Sequence, residues 1–332
     1  MSKKTIFSIV LWLAALICCL LLLDRAMRRD DGERKYGEFF SSETGFDVLF
    51  LGTSRMMDSV QPMELWRDYG ITSYNLANSS EVLDVTEQVL RIAMEHHMPK
   101  VAMIDVFYVH HAVDEAWTYP YRHMFYDEIP LSRSKFEAVR ATLPKSEWTE
   151  FLMPFSLYHS RWEELITGTA ERMVDCEPYM MGSELRAGYS SEHTFSRTKK
   201  VHEGELPGYD ALRRIAAMCR EQGVTPVFVA LPGYATWEEQ KMMNAVEHVA
   251  QECGAVFLNL FDAEGLEIDP QRDCYDYLGH MNPDGASKTT AYIGAWLREN
   301  HGLADYRGQA GFAHWEENLK EYEAHRARVW PQ

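Results

Sequence analysis

Five short apolar runs, at residues 47–52, 73–76, 101–105, 224–231 and 256–260, constrain this chain more than any other feature, because most are separated by segments with helical spacing. The helical segments read as Pro62–Tyr69, Glu81–His96, Pro207–Gln222, Trp237–Cys253 and Pro283 to about Asn300. Strands that are apolar along their whole length must be covered on both faces. Alternation with helices supplies that cover through parallel crossover connections. The expected fold is therefore α/β, a doubly wound three-layer sandwich with about five parallel strands.

The alternation breaks between about 107 and 206, where aromatic residues, histidines and prolines crowd together without a strand period. This stretch reads as a large insertion in a domain that spans 46–301. Residues 302–332 form a C-terminal tail with Trp315, Tyr322 and Trp330 among charges. Residues 30–45 are polar and read as a linker.

The segment before that linker, residues 1–29, holds a nearly unbroken apolar run from Thr5 to Leu23, long enough to cross a bilayer as a helix. It lacks the small-residue site of a cleaved signal peptide, and no small residue stands directly before Cys18, so it reads as an uncleaved, single-pass membrane anchor. The basic residues after the run outnumber those before it, and by charge alone that leaves the domain in the cytoplasm. A single N-terminal anchor commonly exports the domain behind it, and the expected location of the domain is extracytoplasmic.

The net charge is −17, and residues 1–29 contribute five basic residues and one acidic one, a net of +4, so the remainder carries −21. Such a domain repels phosphate backbones, which excludes nucleic acid as a partner. The six cysteines form no C-x-x-C pair, and the sequence contains no pattern for a disulfide framework, a zinc site, another metal site or a cofactor.

Two segments carry the chemistry. The first apolar run ends in Gly52-Thr53-Ser54-Arg55. In an open parallel sheet, ligands bind at the carboxyl ends of strands, so Ser54 is placed where a hydroxyl nucleophile is useful. Small hydroxyl residues also cap the helix after a strand, the blander reading of the same pair. More than two hundred residues later comes Asp276-Tyr277-Leu278-Gly279-His280-Met281-Asn282-Pro283. Asn282 suits an N-cap and Pro283 a first helical position, so His280 falls in the loop before the last helix. Asp276, four residues upstream, is placed to orient the imidazole as its acid partner, with Asp273 the next candidate.

Together these blocks resemble the first and last sequence blocks of the SGNH (GDSL-like) hydrolase superfamily over roughly Asp47 to Leu297. Thr53 stands where the usual aspartate would be, a form similar to the membrane-anchored branch that contains the DltD and alginate O-acetylation proteins. The resemblance implies a flavodoxin-like order of strands and a serine-dependent acyl esterase or O-acyltransferase with Ser54, His280 and Asp276 as its catalytic residues. Its second block looks like Asn75-Leu76-Ala77-Asn78-Ser79-Ser80, which makes Asn78 and Ser80, with Arg55, candidates for oxyanion binding or substrate positioning. The third strand ends in Asp105 where the family has an asparagine. Asp105 reads instead as a structural partner for a helix N-terminus or for Arg55.

Within the insertion, Tyr158, His159 and Arg161 are the candidate substrate-binding residues, because aromatic faces and guanidinium groups suit a sugar or polyol-phosphate polymer. The same aromatics also read as the insertion's own small core. The implied substrate is an acylated cell-envelope glycan or a teichoic-acid-like polymer, and the resemblance further implies a membrane-bound O-acyltransferase partner. The alternative is a catalytically inactive accessory protein that keeps the fold and binds glycan or such a partner.

Overall fold

The computed structural model describes residues 2–27, 35–154, 157, 162–167, 177–191, 194–195 and 197–331. Five strands, β1 (Val48–Leu51), β2 (Ser73–Asn75), β3 (Val101–Asp105), β4 (Thr225–Ala230) and β5 (Val256–Asn259), form one sheet in the order β2-β1-β3-β4-β5. Every pair is parallel, with Val48 opposite both Ser73 and Val101. The expected α/β class and strand count are observed.

Alternation along β1 divides the core in two. Leu49 and Leu51 join a cluster with Ile104, Phe228, Val89, Ile215 and Val246, whereas Val48 and Phe50 join Met103, Val229, Met56, Leu65, Ile293 and Leu297 on the opposite face. The first face is covered by three helices, Leu83–His96, Tyr209–Gln222 and Trp237–Cys253. The second is covered by Ser54–Ser59, Pro62–Tyr69 and Pro283–His301. In chain order the helices are α1 (Lys3–Met27), α2 (Lys35–Ser41), α3 (Ser54–Ser59), α4 (Pro62–Tyr69), α5 (Leu83–His96), α6 (Tyr119–Tyr126), α7 (Arg133–Thr142), α8 (Trp148–Leu152), α9 (Trp162–Thr167), α10 (Tyr209–Gln222), α11 (Trp237–Cys253), α12 (Pro270–Asp273), α13 (Pro283–His301) and α14 (Ala313–Val329).

Helix α1 is long and apolar enough to cross a membrane, and its span from Lys3 to Leu23 is not buried inside the protein. The polar linker expected after it is corrected in part. Residues 35–41 are helix α2, whose Lys35, Tyr36 and Phe39 are buried. Phe39 stacks on Phe46 with ring centroids 5.4 Å apart and meets Tyr74 edge-on at 5.3 Å. The folded domain thus begins near Lys35 rather than near residue 46. Polar composition hid three anchoring side chains.

The insertion contributes α6 to α9, and it does not keep a core to itself. Phe125, Tyr126, Val139 and Phe151 belong to the same apolar cluster as the first face of the sheet. The tail also joins it. Trp315 and Tyr322 of α14 are buried, with the Trp315 ring 5.1 Å from that of Trp66 and 6.1 Å from that of Phe46. Trp315→Ala is expected to destabilise the domain by about 3–5 kcal/mol through the cavity it leaves. A thermal-unfolding midpoint equal to that of the wild type would contradict this.

Candidate functional site

The strand order reverses at β1: the chain leaves β1 for β2 on one side and returns to β3 on the other. A crevice opens outside the carboxyl ends of strands at such a switch point. Gly52, Thr53 and Ser54 come directly after β1, and Asp105 closes β3 beside them.

The turn is built tightly. Gly52 has φ of +122°, and a Cβ added there would stand 2.7 Å from Cβ of Asp105. Thr53 is the N-cap of α3, with its Oγ1 accepting from the Arg55 N–H, so both the capping reading and the placement at the crevice hold for this dipeptide. Asp105 accepts hydrogen bonds from the hydroxyl and N–H of Thr53 and, at 3.0 Å, from the N–H of Phe107. Burial raises the carboxyl pKa of Asp105, and these donors with the nearby Arg55 charge pull against that rise. The role found for Asp105 is therefore structural, as partner of the α3 N-terminus.

Helix α3 starts at Ser54 and carries its hydroxyl into the crevice. Ser54 Oγ lies 2.8 Å from His280 Nε2, and His280 Nδ1 lies 2.7 Å from Asp276 Oδ2. The other Asp276 oxygen accepts from the backbone N–H of His280 at 3.1 Å and of Leu278 at 3.0 Å. Burial opposes the Asp276 charge, but the hydrogen bond and charge of His280 and these two amides outweigh it and hold its carboxyl below the usual range.

The loop bearing His280 is fixed at both ends. Cys274 and Met281 form an antiparallel bridge, Tyr275 N–H donates to the His280 carbonyl at 3.0 Å, and Asn282 caps α13 through the N–H groups of Asp284 and Gly285. Gly279 adopts φ of +82° where a Cβ would stand 2.5 Å from the Tyr234 nitrogen. In this loop Asp276, four residues before His280, reaches the imidazole. Asp273, the other acid considered, pairs with Lys288 at 2.6 Å and accepts from the Asp269 N–H.

Arg55 points elsewhere than the serine. Its guanidinium stacks 3.5 Å over the Phe107 ring centroid and donates to the carbonyls of Tyr234 and Leu278. It thereby ties together the two loops that meet at Gly233 and Gly279. Ser80 adopts a left-handed φ of +55°.

The Asn78 side-chain amide donates to the Tyr36 hydroxyl, inside the domain. The backbone nitrogen of Asn78 is also engaged, donating to the Gly52 carbonyl at 2.9 Å. By contrast, the N–H groups of Ser54 and Ser80 have no acceptor among the described residues. Tyr158, His159 and Arg161 lie outside the described residues.

Two neighbours were not singled out from the sequence. Tyr275 stacks on His280 at 5.6 Å with 14° between planes, and its hydroxyl donates to Asp58 at 3.2 Å. Asp58 lies four residues after Ser54, one helical turn along α3, which is the spacing that could have flagged it. Burial, then the nearby Glu184, pushes its carboxyl well above the ordinary range.

Glu81 is pushed up to about 8 by burial, against the hydrogen bond from Thr86, the Lys35 charge and the Asn78 amide. An acid with a folded pKa raised from 4.5 contributes full stability below that value and loses it as pH rises toward about 8. Glu81→Gln is therefore expected to make the thermal midpoint fall less between pH 5 and pH 9 than it does in the wild type. Parallel curves for the two proteins would overturn this.

No protein-family model matches the chain, and no curated protein matches it in sequence.

Proposed function

We propose that this protein is a membrane-anchored serine esterase or O-acyltransferase of the SGNH type, acting on acyl groups of a cell-envelope polysaccharide or teichoic-acid-like polymer outside the cytoplasm. The observation that carries the reading is the hydrogen-bonded relay from Ser54 Oγ to His280 Nε2 at 2.8 Å and from His280 Nδ1 to Asp276 at 2.7 Å. This order of hydroxyl, imidazole and carboxylate activates a serine for acyl transfer.

In this reading Ser54 Oγ attacks the acyl carbonyl while His280 Nε2 takes its proton. The oxyanion forms beside the N–H groups of Ser54 and Ser80, which have no acceptor among the described residues. Collapse breaks the bond to the leaving alcohol, which receives the proton from Nε2 and leaves an acyl-Ser54. Water completes a hydrolysis, and an acceptor hydroxyl completes a transfer: each gives its proton to His280 as it attacks, and the acyl–Ser54 bond then breaks as Ser54 Oγ takes that proton back from Nε2. A membrane-bound O-acyltransferase partner belongs to the transfer version.

The second reading, an inactive accessory protein that binds glycan or a membrane partner, is favoured by the turned-in Asn78 amide and by Asp105 in place of an asparagine. A fluorophosphonate probe separates the two. The full-length protein in detergent is expected to label on Ser54, with labelling lost in Ser54→Ala. An unlabelled wild type would replace the enzyme reading with the accessory one.

A further inference from the structure

The residues after the apolar helix do more than begin the domain. Lys35 donates through Nζ to the Ala77 carbonyl, and its own carbonyl accepts from the Tyr74 hydroxyl at 2.6 Å. The Tyr36 hydroxyl donates to the Leu76 carbonyl at 2.9 Å and accepts from the Asn78 amide. The Tyr36 N–H is held in turn by Glu128 at 2.6 Å, so α2 is clamped between the segment after β2 and the insertion. Lys35 and Tyr36 are 6% and 1% exposed, which makes these bonds interior rather than surface contacts.

The segment they hold leads directly to the reacting serine. Asn78 N–H donates to the Gly52 carbonyl at 2.9 Å, two residues before Ser54, and Ser80 comes two residues later. Glu81 closes the segment from the other end, accepting from Thr86 at 2.7 Å. Leu76, Ala77 and Asn78 are therefore each bonded to Lys35 or Tyr36, and the bond from Asn78 to Gly52 continues into the nucleophile turn.

We propose that Tyr36 and Lys35 are positioning residues: the juxtamembrane helix sets the place of the 76–80 segment, and through it the Gly52–Ser54 turn that Asn78 holds and the Ser80 N–H assigned above to the oxyanion. This rests on the acyl-transfer reading of Ser54 and assigns that site an element outside the sheet. A buried donor or acceptor left unpaired is costly, so removing one hydroxyl here releases the segment more than it empties space. Donors displaced by a fraction of an ångström lose transition-state stabilisation while ground-state binding is retained.

The test compares full-length wild type, Tyr36→Phe, Lys35→Met and Ser54→Ala in detergent, using p-nitrophenyl acetate turnover and amide hydrogen exchange. Tyr36→Phe is expected to lower kcat about tenfold with KM within twofold, and to speed exchange at 76–80 while residues 276–280 exchange as in the wild type. Lys35→Met keeps the aliphatic stem and should show the same pattern, which guards against one variant failing to fold. A wild-type kcat in both variants, with Ser54→Ala inactive, overturns the positioning role and leaves the reading of Ser54 standing. Activity that persists in Ser54→Ala, or a wild type with no turnover, removes that reading and the positioning role with it. Equal losses of kcat and melting temperature with exchange raised across the whole domain would also overturn the proposal, because they mark general destabilisation.

Discussion

Ser54→Ala should lower kcat for p-nitrophenyl acetate by roughly 10⁵–10⁶-fold, leaving only the residual acceleration that the rest of the site supplies. The side chain of Ser54 makes its hydrogen bond to His280 and to no other group among the described residues, so its loss leaves the turn and its cap in place. Asp276→Asn should cost roughly 10⁴-fold at unchanged stability, because an amide offers an N–H to the imidazole and favours the wrong tautomer. Of the two Asp276 oxygens, one holds His280 Nδ1 and the other holds two backbone N–H groups. The asparagine side chain can keep the second set through its oxygen, which is why the expected effect falls on rate. A measured kcat in either variant within tenfold of the wild type would show that the three groups are neighbours without being a relay.

The second large effect concerns the fold. Gly52→Ala should destabilise the domain by about 3–5 kcal/mol, since a side chain at φ of +122° is strained and its Cβ has no room. The obstacle is Cβ of Asp105 at 2.7 Å, with the Asp105 backbone nitrogen at 3.2 Å behind it. Neither can retreat, because Asp105 is the last residue of a central strand and is itself bonded to Thr53 and Phe107. Chemical unfolding of both proteins gives the difference directly. An equal midpoint would mean that β1 and β3 can part at their ends without loss.

Much of the architecture was legible because it rests on local patterns. Apolar runs gave the five strands, and Asn282-Pro283 announced the start of α13, where the asparagine caps as expected. The pairing of Ser54 with His280 was also legible, since both sit at the carboxyl edge of a parallel sheet and a resemblance to a known family joined them. Asp276 reaches the imidazole in a loop that packs tightly at Gly279, and the nonlocal approach of Gly279 to Gly233 and Tyr234 is contained in no spacing rule. The features that stayed hidden were nonlocal and polar. Asn78 carries the right group in the right loop, yet its amide donates to Tyr36, forty-two residues earlier. Lys35 and Tyr36 sat in a segment whose composition resembles a spacer, and burial of a lysine is rarely suggested by sequence. The insertion misled for the same reason: its aromatics pack on the main sheet rather than on one another alone.

The entry point of the chain fixes a distance. Lys35 is bonded at the carboxyl edge of β2, on the side of the sheet where Ser54 and His280 meet, and only eight backbone steps separate it from Met27 at the end of α1. Eight extended steps reach about 26–29 Å. In the acyl-transfer reading proposed above, with α1 lodged in a bilayer, this tether keeps Ser54 near the headgroups. Acyl groups presented close to the membrane would then meet it at high effective concentration, and more distant polymer would lie beyond its range.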